Sequence, residues 1–240
     1  LLELYARQTD FVVPDLRLNE LKSFVERGLI DFSISRLAAK MPWGIPVPDD
    51  ESQIMSVWFD ALINYISAIG WPDDQEKFEK WWGVRQFAGK DNLRQQAAMW
   101  QAMLMSAGLP PSKGIIIHGF IISGGQKMSK SLGNVINPFK LVEEYGTDAV
   151  RYFLARHTAP FEDTDVTLEK FKEVYNANLA NGLGNLVSRV MKLASDHLLR
   201  PVVVEKRSIT DFSNLIEPFR HYELNQALDE IWRHIGLHDA

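Results

Sequence analysis

The hydrophobic pattern is clearest between residues 84 and 122, where two apolar runs flank a helical stretch. The first run, VRQFAGKD (84–91), has the character of a short strand that ends in a glycine turn. NLRQQAAMWQAMLMSAG (92–108) is rich in Ala, Met and Gln and predicts a helix. GIIIHGFII (114–122) is almost continuously apolar, which is typical of a buried strand in a parallel sheet. The order strand, helix, strand predicts a βαβ unit, followed by a loop at the carboxyl edge where doubly wound sheets bind ligands.

The rest of the first 168 residues mixes strands, helices and loops. Residues 53–69 begin like a strand and continue with apolar positions at helical spacing. Residues 41–50 carry three prolines and predict an irregular, rigid loop. The other predicted elements are helices at 1–9 and 18–28, with a break at Pro14 and Asp15, and a strand at 29–37.

Helical periodicity dominates after residue 138. Thr147 and Asp148 predict the cap of a helix that ends at Arg156, and Thr167 predicts the cap of a long helix at 168–198. The apolar residues of the long helix lie on one broad stripe. They are Phe171, Val174, Leu179, Leu183, Leu186, Val190 and Leu193. Two further helices are predicted at 211–220 and 223–236.

These elements predict two domains of different class. Residues 1–168 have the pattern of an α/β, Rossmann-like fold with a parallel sheet. Residues 169–240 have the pattern of an all-α helical bundle.

Composition narrows the class of protein. The chain has 240 residues, of which 46% are hydrophobic and 24% charged, an ordinary globular mixture. We find no signal peptide and no apolar run near the ~20 residues of a membrane span, so we expect a cytoplasmic protein with no membrane partner. Cysteine is absent, which excludes disulfides and Cys-ligated zinc within the chain. We predict no metal ligands.

The charge is unevenly distributed. The net charge is -5, yet no Asp or Glu occurs between Asn92 and Val142. Five basic residues lie in that stretch and predict a locally positive surface; chance and a buried apolar strand are the alternative explanation. They are Arg94, Lys113, Lys127, Lys130 and Lys140.

Within this stretch lies GGQKMSKSLGN (124–134), which places Lys127 and Lys130 three residues apart among small residues. A solvated surface loop is the simpler interpretation of such a pair. The alternative is a mobile pair of cations that neutralises a polyphosphate, since phosphoryl and nucleotidyl transfer depend mainly on positioning and on positive charge. The spacing is not that of a Walker A loop.

KMSKS at 127–131 resembles the signature of class I aminoacyl-tRNA synthetases, and the surrounding motifs resemble the methionyl-tRNA synthetase family. The resemblance covers nearly the whole chain, in order. The other motifs that carry it are DFSISR (31–36), WGIPVP (43–48), VWFDALINYISAIG (57–70), FAGKDNLR (87–94), HGFIISGGQKMSKSLGNVINP (118–138) and NANLANGLGNLVSR (176–189).

The resemblance implies a methionine–tRNA ligase whose partners are methionine, ATP with Mg²⁺, and tRNA(Met). In the first step the methionine carboxylate attacks the α-phosphate of ATP, giving methionyl-adenylate and pyrophosphate. In the second step the methionyl group moves to the terminal ribose of the tRNA. The sequence makes no prediction of oligomeric state.

The resemblance also implies the ATP-binding residues. Lys127 and Lys130 would stabilise the triphosphate and the departing pyrophosphate, with Lys130 the stronger candidate. The other implied residues are His118 and Gly119 at the adenine, Gly89 and Asp91 at the ribose, and Arg36 near the substrate. A helix N-cap is the alternative for Asp91, and a surface ion pair is the alternative for Arg36.

The methionine pocket implied by the resemblance consists of Trp58, Ala61, Leu62, Tyr65, Gln96 and Trp100, with Asp60 in support. Aromatic walls suit a polarizable thioether, although a packed core helix explains the same stripe. Gln95 and Gln96 stand where the family usually has an aromatic residue and a histidine, and Asn92 replaces an apolar residue. We therefore expect a more polar pocket without a role for imidazole.

Asn185 and Arg189 stand four apart at the positions where the family reads anticodon bases. An amide and a guanidinium can hydrogen-bond and stack on unpaired bases. An exposed polar pair on a bundle helix is the alternative.

We expect the chain to be a piece of a longer protein, because it begins without methionine inside a helical pattern. By the resemblance, residues 1–168 correspond to the carboxyl-terminal part of a class I catalytic domain, and residues 169–240 to the start of its anticodon-binding bundle. The HIGH-like motif and a zinc-bearing insert would precede Leu1, and an anticodon-stacking tryptophan would follow Ala240, so the chain alone would make little or no adenylate. Three alternatives stay open: another class I synthetase, a non-catalytic tRNA-binding paralogue, and a structural fragment.

Overall fold

The computed structural model describes residues 1–129, 131–202 and 213–239. The chain divides into two compact units, Leu1–His118 and Gly119–Ala240. In the part of the chain that is described, no helix has both the length and the apolar character needed to span a membrane.

A three-stranded parallel sheet forms the centre of the first unit. Its strands are β1 (Val12–Val13), β5 (Arg85–Gly89) and β6 (Gly114–His118), in the order β1-β6-β5. The β6 residues 115–117 are buried, in agreement with their unbroken apolar character. β5 and β6 are parallel and joined through helix, so the predicted βαβ unit is confirmed.

The helices of this unit pack on the sheet through apolar side chains such as Tyr5, Leu21 and Leu93. The helix predicted at 18–28 begins earlier, because Pro14 occupies the N-cap and does not break it. The helical run after β5 changes type along its length, from a 3₁₀ turn through a π-helical segment to an α-helix. The helical elements of the unit are α1 (Leu2–Arg7), α2 (Asp15–Glu26), α3 (Val57–Ser67), α4 (Gln75–Trp81), the 3₁₀ turn (Lys90–Asn92), the π-helical segment (Gln95–Met99) and α5 (Trp100–Ser106).

A small antiparallel sheet precedes α3 and corrects two predictions. Its strands are β2 (Ser35–Leu37), β3 (Pro46–Val47) and β4 (Asp50–Met55), in the order β2-β4-β3. The strand predicted at 29–37 is therefore confined to its last three residues. The loop predicted at 41–50 contains a short strand, because a proline is tolerated on an edge strand where its missing N–H is not needed.

The second unit begins with a small mixed sheet. β7 (Ile121–Ser123) pairs antiparallel with β8 (Gln126–Lys127) and parallel with β9 (Thr164–Asp165). The single strand predicted at 114–122 is thus divided in two. Gly119 marks the division: its amide donates to Pro160 O at 3.2 Å, outside any strand ladder.

Helices make up most of the rest of the second unit. The Thr167 hydroxyl accepts from Lys170 N at 3.2 Å, so the predicted cap is confirmed. The cap predicted at Thr147 is wrong, because Gly146 holds the N-cap position. The elements are α6 (Pro138–Tyr145), α7 (Thr147–His157), α8 (Leu168–Val174), a second π-helical segment (Tyr175–Gly184), α9 (Asn185–His197), α10 (Ser213–Arg220) and α11 (Leu224–Asp239).

The predicted apolar stripe of 168–198 is only partly correct. Phe171 is 2% exposed, whereas Val190 and Leu193 are more than half exposed. A π-helical segment has a different period from an α-helix, so the stripe does not continue through it.

Arg156 joins three helical elements of the second unit. Its guanidinium donates to Asp229 on α11 at 2.8 Å, to Tyr152 OH at 2.6 Å and to Asn178 of the π-helical segment at 2.7 Å. It also lies 4.8 Å from the Trp232 ring centroid. The predicted domain boundary at residue 168 falls within this unit and stays a prediction.

Candidate functional site

The carboxyl edge of the parallel sheet brings together three predicted ATP-binding residues. Gly89 and His118 are partners in the register of β5 and β6, at the last position of each strand. Asp91 follows in the 3₁₀ turn and is exposed. Gly89, rather than Asp91, is the N-cap residue of that turn, so the N-cap interpretation of Asp91 is wrong. A carboxylate has the acceptor oxygens that the hydroxyls of a ribose require.

A polar pair lies among the predicted methionine-pocket residues. Gln96 Nε2 donates to Tyr65 OH at 3.1 Å. Gln96 is buried, and its Oε1 has no hydrogen-bond partner among the described residues. The π-helical segment 95–99 sets which way this side chain faces, so sequence periodicity alone does not predict its burial.

The other predicted pocket residues divide between core and surface. Leu62 and Trp100 are both 1% exposed and belong to one apolar cluster, against which Tyr65 packs. Trp58, in the first turn of α3, is 36% exposed, and Ala61 is half-buried. The alternative interpretation of α3 as a packed core helix therefore describes Leu62 well.

Arg36 lies on β2 and is exposed. Its Nη1 donates to the backbone carbonyls of Ser33 at 3.2 Å and Ser35 at 2.7 Å. The guanidinium is thus folded back on its own strand, and it braces the turn that leads into β2.

Residues 124–134 form the lysine-bearing segment, which begins as a hairpin rather than as an unstructured loop. Gly124 and Gly125 have φ angles of 63° and 73° and form the turn between β7 and β8. Asp165 Oδ2 accepts from Gly125 N at 3.1 Å and holds the turn against β9. Lys127 is exposed at the end of β8, and its mobility stays a prediction. Lys130 lies outside the described residues.

Sequence reasoning missed Asn134 in this segment. Its side chain accepts from Ser129 N at 2.8 Å and donates to Ser123 O at 3.3 Å and Lys127 O at 3.4 Å. The sequence feature that could have indicated this role is an asparagine directly after Gly133, at the end of the segment. Amide side chains are common at such positions because they hydrogen-bond nearby backbone.

Asn185 and Arg189 lie on α9, and both are exposed. The helix is regular over these residues, so side chains four apart share a face. The pair belongs to the second unit, together with Gly119 and Lys127, whereas the other described site residues belong to the first unit.

No group of three or more His, Cys, Asp or Glu side chains within 1–129, 131–202 and 213–239 is arranged to hold a metal ion. His234 and His238 stand four residues apart in the sequence. His234 Nδ1 is 2.9 Å from Glu230 O on the same helix, which accounts for one of its ring nitrogens.

Comparison with known proteins gives a consistent result. The model of the family "tRNA synthetases class I (M)" matches residues 2–191. The methionine–tRNA ligase of Thermosynechococcus vestitus is 48% identical over 199 residues, which cover 81% of this chain and 37% of that protein. The Thermotoga maritima methionine–tRNA ligase is 41% identical over 248 residues, covering 98% and 39%. The chain thus spans about two-fifths of the length of these relatives.

Solved structures agree with these relatives. The Mycobacterium tuberculosis methionyl-tRNA synthetase in complex with methionyl-adenylate matches with a TM-score of 0.87 and 37% identity, over 98% of this chain and 48% of that one. The apo form of the same protein matches with a TM-score of 0.81 and 34% identity over the same shares.

Proposed function

Because the chain belongs to the class I (M) family of tRNA synthetases, we propose that the protein containing it is a methionine–tRNA ligase. This protein activates methionine with ATP and transfers the methionyl group to tRNA(Met). Methionyl-adenylate, the ligand of the matched Mycobacterium tuberculosis structure, is the expected intermediate. A cytoplasmic location is part of the proposal.

The observation that carries the proposal is the pairing of Gly89 with His118, followed by Asp91, at the carboxyl edge of the parallel sheet. Doubly wound sheets bind nucleotides outside this edge. In the proposed complex Gly89 leaves room for the ribose, Asp91 accepts from its hydroxyls, and His118 and Gly119 flank the adenine. Arg36 acts near the substrate.

Lys127 and Lys130 supply the positive charge in the proposed reaction. The carboxylate oxygen of methionine forms a bond to the α-phosphorus, and the bond from that phosphorus to the bridging oxygen breaks. Negative charge then accumulates on the departing pyrophosphate, where two ammonium groups stabilise it more than they stabilise bound ATP. Mg²⁺ enters with ATP as part of the substrate and shares this charge.

The proposed methionine pocket uses Tyr65 and Gln96 as its polar wall, with Trp58, Ala61, Leu62 and Trp100 around them. The support is the hydrogen bond from Gln96 to Tyr65 OH together with the unpartnered Gln96 Oε1. An amide does not titrate in the physiological range, so the Gln96 side chain stays uncharged from acid to neutral pH.

Asn185 and Arg189 are the proposed contacts to unpaired anticodon bases. Their exposure and shared helix face support the role, because both side chains are accessible to a base that approaches α9.

The test is ATP–pyrophosphate exchange by the full-length protein with methionine, leucine, valine or cysteine as the only amino acid, followed by aminoacylation of tRNA(Met). Exchange that depends on methionine supports the proposal. Exchange that depends on another amino acid favours a different class I synthetase. Binding of tRNA without exchange favours the non-catalytic paralogue.

A further inference from the structure

The Asn134 side chain ties together both ends of the lysine-bearing segment. Its shortest hydrogen bond, 2.8 Å, is accepted from the backbone amide of Ser129, the residue before Lys130. Its amide nitrogen reaches Ser123 O at 3.3 Å, before the glycine turn, and Lys127 O at 3.4 Å, after it. One half-buried side chain thus contacts three backbone positions over seven residues.

The space around the lysine-bearing segment is open, so the hydrogen bonds of Asn134 matter more for its conformation. Gly124, Gly125 and Gly133 all have positive φ, and a Cβ added to any of them would meet no atom within 4 Å. A cavity of about 560 Å³ lies beside the segment and is lined by Ser123, Gly133 and Asn134, among others. Few side chains therefore pack against the segment, and its backbone conformation depends mainly on hydrogen bonds.

An amide is the side chain that suits these three contacts. It offers one acceptor oxygen and two donor hydrogens, whereas a carboxylate only accepts and an aliphatic residue does neither. The short bond to Ser129 N is stronger than the two long bonds to the hairpin. Ser129 Oγ, which lies 2.6 Å from Ser131 Oγ, extends the same network to the other side of Lys130.

We infer that Asn134 is a positioning residue for adenylate formation: it fixes the backbone at Lys127 and Ser129 and so sets the direction of the Lys127 side chain. The inference rests on the proposed function. Asn134 itself touches no reacting atom in this scheme. Its loss lets Lys127 sample many orientations, and a misplacement of about 1 Å costs on the order of 100-fold in rate.

The experiment compares Asn134→Ala with Asn137→Ala in the full-length protein. Asn137 is a matched control, since it is a second asparagine three residues on whose Oδ1 accepts from Phe139 N at 2.9 Å and caps α6. We expect Asn134→Ala to lower kcat for exchange by about 10- to 100-fold while KM for methionine changes by less than about twofold. Asn137→Ala should keep the wild-type kcat.

Trypsin cleavage after Lys127 and Lys130 gives a second readout that does not depend on activity. Asn134→Ala should be cut faster than wild type at these positions, and Asn137→Ala should not. If Asn134→Ala does not fold, Asn134→Asp replaces it: it keeps an acceptor for Ser129 N but loses both donors, and we expect a reduced kcat in the same direction.

Three results would overturn the inference. They are a wild-type kcat in folded Asn134→Ala, equal losses in both variants, or a methionine KM that rises in step with the loss of kcat. Absence of exchange in the wild-type protein would instead refute the proposed function. In that case the trypsin comparison still decides whether Asn134 holds the segment.

Discussion

Lys127 Nζ lies over the face of the Phe120 ring, 4.5 Å from its centroid. A cation–π contact at an exposed site is worth about 0.5–1 kcal/mol. A charge-assisted hydrogen bond to a phosphate oxygen is worth more, about 1.5–3 kcal/mol. The ring therefore favours one position of the ammonium group, and in the proposed reaction the polyphosphate would draw it away.

The first prediction concerns the lysine pair. We expect Lys130→Ala in the full-length protein to lower the rate of adenylate formation by about 10²–10³, the effect of removing one transition-state donor. Lys140→Ala is the control, because Lys140 is an exposed lysine of the same acid-free stretch on α6. Single-turnover formation of methionyl-adenylate measures the step, and an unchanged rate in Lys130→Ala would rule out the role proposed for it.

The second prediction concerns Gly119. A Cβ at this position would overlap the Glu162 carbonyl, so the backbone must shift in Gly119→Ala. We expect the free energy of unfolding to fall by about 1–3 kcal/mol. Gly236→Ala is the control: this helical position has no atom within 4 Å of the added Cβ, and we expect a change of at most about 1 kcal/mol in the stabilising direction. Urea unfolding distinguishes the two variants; equal stability would contradict the steric account.

The third prediction concerns Tyr65 and Gln96. Tyr65→Phe removes the hydroxyl that accepts from the buried Gln96 amide, and we expect a loss of about 1–3 kcal/mol in the free energy of unfolding. Adding Gln96→Leu removes the second polar partner as well and should recover part of this loss. A double-mutant cycle by denaturant unfolding measures the coupling. Strictly additive losses would show that the hydrogen bond contributes nothing.

The fourth prediction concerns pH. Burial lowers the pKa of His157, and the neighbouring Arg156 lowers it further, while Asp229 opposes them and Lys170 adds a smaller lowering. Its folded pKa is thus below the unfolded value of about 6.5, so its contribution to stability is present above that pH and is lost as pH falls through it. His157→Gln, which does not titrate, should lose less thermal stability than wild type between about pH 7.5 and about pH 5.5. An equal fall in melting temperature for wild type and His157→Gln between the two pH values would contradict this.

The fifth prediction concerns the 240-residue chain alone. It spans about two-fifths of the relatives that it matches, and we expect it to support little or no ATP–pyrophosphate exchange. The measurement is methionine-dependent exchange by the isolated chain, with the full-length protein as the reference. Robust exchange by the isolated chain would refute the expectation.

The sequence predicted best the elements whose hydrophobic pattern is continuous. β5, β6 and the helical run between them follow from two apolar runs and one amphipathic stretch. It failed where one hydrogen bond decides the conformation. The break at Gly119 depends on backbone from residues 160–162, which are distant in sequence, and the tie at Asn134 depends on the bonds of one side chain.

The helix types were also beyond reach of the sequence. A short window of apolar positions does not distinguish a helix with bonds from i to i+5 from one with bonds from i to i+4. Gln96 is buried by such a segment, so the polar residue of greatest interest in the first unit was identified from the family resemblance rather than from periodicity.

The π-helical segment Tyr175–Gly184 sets the rotation of α9 about its own axis. A π-helix turns by a smaller angle per residue than an α-helix does. The direction in which Asn185 and Arg189 face on α9 therefore depends on the length of the segment before them. Removing one residue from the segment would rotate α9 about its axis by nearly one α-helical step of about 100°, so both side chains would face a different direction although neither is changed.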